Sequence, residues 1–145
     1  MNLYTYVPVN YSETPELEFD LDTIVSLHAS NVVREVYQNI EQILDSALRS
    51  KVTLFIQRFE HILTQELKLS RKWQMLRSLS LYCDEDYAEI TWTFVNFGAG
   101  FVFERDKDTW FYFMSDDTKT AETFGPLTSE NCANTIRDVI RYVTK

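Results

Sequence analysis

The side chains best suited to chemistry are carboxylates, and they fall in two clusters. Asp84, Asp86 and Glu89 form one, and Asp106, Asp108, Asp116 and Asp117 form the other. Paired carboxylates can hold Mg²⁺ for phosphoryl transfer. Asp117-Thr118-Lys119 matches the acid-x-Lys half of a nuclease metal motif, with Asp108 as the partner carboxylate. Two features depart from that pattern. The triplet falls in a predicted loop rather than a strand, and Arg105 stands where the neighbouring hairpin would need an acid. A Mg²⁺-dependent nuclease or phosphodiesterase using Asp108, Asp117 and Lys119 is therefore one alternative. Solvated turn acids are the ordinary explanation.

Other reactive residues carry less. His28 and His61 are the only histidines, and neither pairs with a second His or a Cys at metal-ligand spacing. Cys83 sits in an alternating strand pattern and Cys132 on the apolar stripe of a helix, so both read as packing residues. Gly98-Ala99-Gly100 lacks the third glycine and the following helix of a dinucleotide loop. No catalytic residue, metal ligand or cofactor site is assigned.

The elements that would position these groups follow from periodicity. Residues 1–21 read as an acidic N-terminal arm: Glu13, Glu16, Glu18 and Asp20 interleave with Leu17, Phe19 and Leu21, which fits an edge strand or a flexible arm. Residues 22–69 are helical. Ala29, Val33, Val36, Ile40, Ile43 and Ala47 recur at three- and four-residue steps, then Val52, Phe55, Phe59, Ile62 and Glu66. One long helix, which calls for pairing with another chain, and two helices broken near Ser50 both fit. The break is preferred. Residues 78–124 read as an antiparallel β-meander of four or five strands. Asp84-Glu85-Asp86, Gly98-Ala99-Gly100 and Arg105-Asp106-Lys107-Asp108 are its expected reversals. Residues 128–144 form a C-terminal helix, capped by Thr128 or Ser129, with Cys132, Ile136, Val139, Ile140 and Val143 inward and Arg137 and Arg141 outward. The fold class is α+β, a single domain over 1–145 with the last helix packed on the sheet.

Composition narrows the function. At 45% hydrophobic and 14% aromatic, 145 residues can bury a real core. No apolar run reaches the roughly 18–20 residues of a membrane span, and the N-terminus has no secretory-signal pattern, so a cytoplasmic location with free thiols is expected. The net charge is −8, unevenly placed: −5 over residues 1–29, +3 over 30–80 and −6 over 81–145. That balance repels nucleic acid and favours a basic partner. Lys68, Arg71, Lys72 and Arg77 with Trp73 make a local basic patch, which fits single-stranded nucleic acid less well than it fits the chain's own acidic arm.

Aromatic residues crowd the meander. Alternation puts Phe101, Phe103, Phe111 and Phe113 on one face, with Trp110 and Tyr112 on the other. Either the N-terminal helices cover the second face or it stays open for a partner. In size, acidity and helix–sheet–helix order the chain resembles bacterial toxin-immunity proteins, phage-encoded inhibitors of host defence and type III secretion chaperones. The resemblance implies work by binding and transfers no site residue. The expectation is a non-enzymatic domain that inhibits or escorts a basic protein. Asp84, Glu85, Asp86, Asp106, Asp108, Asp116 and Asp117 would steer, and Trp92, Trp110 and Tyr112 would anchor. A homodimer assembled through residues 22–69 is the structural alternative.

Overall fold

The structure, a computed structural model, describes residues 15–70, 76–115 and 120–144, with backbone alone at 15–20, 115 and 120–123. The expected α+β order is present: a helical pair, a five-stranded antiparallel sheet and a C-terminal helix.

Helix α1 spans Pro15–Asn39. Proline suits a first helical position because its missing N–H has no partner there in any case. Residues 15–21, expected within the arm, thus belong to the helix, while 1–14 lie outside the described residues. A single 3-10 turn, Ile40–Gln42, ends α1, and α2 spans Ser46–Leu67. The region is therefore two helices, broken at Ile43–Asp45 rather than near Ser50. Asp45 fixes that site: its Oδ1 accepts the Leu48 N–H at 2.8 Å, an N-cap that starts α2. The shifted break puts Leu48 rather than Ala47 in the core.

The strands are β1 (Ser80–Cys83), β2 (Tyr87–Phe94), β3 (Phe97–Glu104), β4 (Trp110–Ser115) and β5 (Thr120–Pro126), in that spatial order. Gly98-Ala99-Gly100 is not a reversal. It lies inside β3, where Gly98 pairs with Thr93 and Gly100 with Thr91, and the chain turns at Val95-Asn96. Beyond the expected end of the meander at 124, Gly125 and Pro126 continue β5 and pair with Phe111 and Trp110. Pro126 is tolerated because β5 is an edge strand.

Helix α3 spans Cys132–Val143. Thr128 does cap the turn that leads into it. Its Oγ1 accepts the Asn131 N–H at 3.1 Å while Asn131 Oδ1 accepts the Thr128 N–H at 2.7 Å, a reciprocal pair of the capping-box kind. Arg137 and Arg141 do not simply face water. Both reach Glu66 of α2, a buried carboxylate: Arg141 donates to its two oxygens at 2.9 and 3.2 Å, and Arg137 Nε lies 3.6 Å away.

One face of the sheet holds the core. Phe55 of α2 packs on Phe101 and Phe103, with ring centroids 4.7 and 5.2 Å apart. Phe59 meets Trp92 edge-on at 5.4 Å. Tyr142 of α3 stacks on Phe97, and Leu79, whose N–H bonds Val32 O, ties α1 to the start of β1. The molecule is thus two layers, helices on one side and sheet on the other. Among the described residues no helix is long and apolar enough to cross a membrane.

Candidate functional site

Because side chains alternate along a strand, filling one sheet face with Ala88, Ile90, Trp92, Phe101 and Phe103 sends their neighbours to the other. Pairing across β1 to β5 then sets the second face in rows. Tyr82, Glu89, Val102, Trp110 and Pro126 form one row, and Ser80, Thr91, Gly100, Tyr112 and Phe124 the next. This face is open among the described residues: Tyr82 is 61% exposed, Phe124 68%, Met114 47% and Trp110 42%.

Glu89 organises its centre. The hydroxyls of Tyr87 and Tyr112 each donate to one of its carboxylate oxygens. Burial comes first, then the hydrogen bond and charge of Glu89, in raising both phenols well above the ordinary tyrosine range. Neither phenol is therefore a base near neutrality. The two rings are held down by one carboxylate, and no Lys or Arg among the described residues pairs with Glu89. Two aromatic rings fixed on one negative charge make a surface suited to recognition.

One end of this face is acidic. The β1–β2 turn carries Asp84, Glu85 and Asp86, all exposed, and Tyr87 pairs with Glu104, so the β3–β4 turn lies beside it. Arg105 ties the two turns together. Its guanidinium bonds Asp86 at 2.5 Å and its Nε meets Asp45 at 2.7 Å. Across 84–89 and 104–108 there are seven acids against Arg105 and Lys107. The turn itself is held from the helix layer by Lys51, whose Nζ donates to the carbonyls of Glu104, Arg105 and Lys107 at 2.9, 3.3 and 3.0 Å.

The expected site residues separate on these facts. Asp84, Glu85, Asp86, Asp106, Trp110 and Tyr112 gather on the open face or at its acidic end. Trp92 does not. It is fully buried and its Nε1 donates to Arg77 O at 2.6 Å, so it is a core residue and not an anchor. Asp108 lines a cleft on the helix side. Asp116 and Asp117 lie outside the described residues, as does Lys119. Among the described residues no group of three His, Cys, Asp or Glu side chains could hold a metal ion.

Tyr82, Glu104, Met114 and Phe124 belong to the face but were not singled out in the sequence, where Glu89 was read only as part of an acid cluster. Their signal was cross-strand register, which alternation within one strand does not supply. Comparison with protein-family models, curated proteins and solved structures finds no match to this chain.

Proposed function

We propose that the chain is a non-enzymatic binding domain that seats a basic protein partner on the open face of its sheet, so as to inhibit or escort it. The observation that carries this reading is the meeting of exposed rings (Tyr82, Trp110, Phe124) with an acidic end (Asp84, Glu85, Asp86, Asp106) on one surface. The acids steer a cationic surface into place. Flat side chains then exclude water, and the Tyr87–Glu89–Tyr112 unit offers a fixed acceptor to an arriving Arg or Lys.

The test is affinity capture from the source cell with the tagged chain and with Trp110→Ala/Phe124→Ala, followed by binding of the identified protein in purified form. The reading expects a protein with a basic surface that binds the parent chain directly and the double variant much more weakly. A purified partner that binds both alike would remove it. The helices of 22–69 fold against each other as a pair. A solution mass of two chains that survives the double variant would favour the homodimer instead.

A further inference from the structure

A cleft of about 560 Å³ opens between α2, the β3–β4 turn and the segment leading into α3, on the helix side of the sheet and away from the face just described. That volume falls in the range of small-molecule sites. Leu54, Phe55, Phe103 and Leu127 give it an apolar lining, while Lys51, Arg58 and Lys107 bring three cations to it in a chain of net charge −8.

The three cations are not equivalent. Lys51 is committed to the carbonyls of the β3–β4 turn, and Lys107 faces Glu104 at 3.9 Å. Arg58 forms no ion pair with any described carboxylate. Burial pushes the Cys132 thiol up, and the positive charge of Arg58 draws it partly back. Asp108 is the one acid lining the cleft among the described residues. An exposed arginine that no described carboxylate pairs, beside an apolar hollow, presents a planar fork for an anionic head and an apolar wall for the body attached to it.

We propose that this cleft binds a small organic anion, a carboxylate or phosphate on an apolar body, with its head on Arg58 and its body against Leu54, Phe55 and Phe103. The cleft is independent of the partner-binding face, since its lining contains none of Tyr82, Asp84, Glu85, Asp86, Asp106, Trp110 and Phe124.

Amide chemical shifts of the full isotopically labelled chain test it, with three probes: octanoate, octylamine and inorganic phosphate. Octanoate is expected to saturate, with shifts at 54–58, 103, 107–109 and 127–132. Octylamine and phosphate are each expected to bind at least about tenfold more weakly, since each lacks one half of the ligand. Arg58→Gln weakens octanoate by about tenfold or more, Arg58→Lys by less, and Asp108→Asn tightens it a few-fold. Leu54→Glu, at an exposed position, offers a second handle and abolishes saturation. Equal binding of octanoate and octylamine, equal binding of phosphate, shifts mapping elsewhere, or octanoate affinity unmoved by both Arg58→Gln and Leu54→Glu would each overturn the proposal.

Discussion

The Tyr112 ring occupies the space a side chain at position 100 would need: a Cβ built on Gly100 lies 2.2 Å from Tyr112 Cζ and 2.4 Å from its hydroxyl. The two residues are cross-strand partners on the open face, and the ring lies on the bare backbone while its hydroxyl reaches Glu89. Gly100→Ala must therefore move Tyr112 and break its bond to Glu89. Urea unfolding should show a loss of about 1–3 kcal/mol. Gly98 has nothing within 4 Å of such a Cβ, so Gly98→Ala should gain about 0.5–1 kcal/mol by relieving glycine's entropy in a strand.

Trp92 and Trp110 divide the sheet's two faces between them. Trp92→Ala empties a fully buried site and should cost about 3–5 kcal/mol. Trp110→Ala, at an exposed position, should change stability by about 1 kcal/mol or less. Acrylamide quenching gives the same contrast: Trp110→Phe removes an accessible emitter, whereas Trp92→Phe removes a shielded one.

Glu66 joins α2 to α3 through Arg137 and Arg141. Removing both arginines would leave a buried carboxylate unpaired, whereas removing the acid frees two arginines that water can solvate. Thermal melting should thus place the Arg137→Ala/Arg141→Ala variant below Glu66→Leu in Tm. The reverse order would mean that the pair contributes through the acid's packing alone.

Alkali should loosen the fold through its tyrosines. Burial and then Glu60 push Tyr37 up to about 12, and Tyr87 and Tyr112 are raised as well, against an ordinary value of about 10 in the unfolded chain. The folded state holds these protons more tightly. Their contribution is whole below about pH 10 and is lost as pH climbs toward the folded values, about 12 for Tyr37. Urea midpoints measured from pH 9 to about 11.5 should fall, and the fall should be shallower in Tyr37→Phe/Tyr87→Phe/Tyr112→Phe.

Legibility in the sequence followed the range of the interactions. The α2 and α3 stripes and the strand alternation are local patterns, and they placed the helices and most strands. The N-cap that ends the α1–α2 linker is also local, in Asp45 and Leu48, yet the apolar spacing ran smoothly across it and drew the expected break toward Ser50. Gly98-Ala99-Gly100 carried turn chemistry, but its meaning came from Tyr112, a partner in the next strand. Strand alternation puts Trp92 on one face with Ile90 and Phe94. Which face the helices would take was a tertiary choice, and that choice turned an expected anchor into core. Arg141 and Glu66 are 75 residues apart, so no spacing rule joins them.

The central claim is that the open sheet face binds a basic partner, and its most direct measurement is the partner's dissociation constant across a NaCl series. The comparison sets the parent chain against Trp110→Ala/Phe124→Ala, Asp84→Asn/Asp86→Asn and a helix-side control, Arg34→Ala. The account predicts about tenfold or greater weakening for the aromatic pair at every salt concentration, a shallower salt dependence for the acid pair, and no change for the control. Affinity that ignores both face variants, or that responds only to the helix-side change, would contradict it.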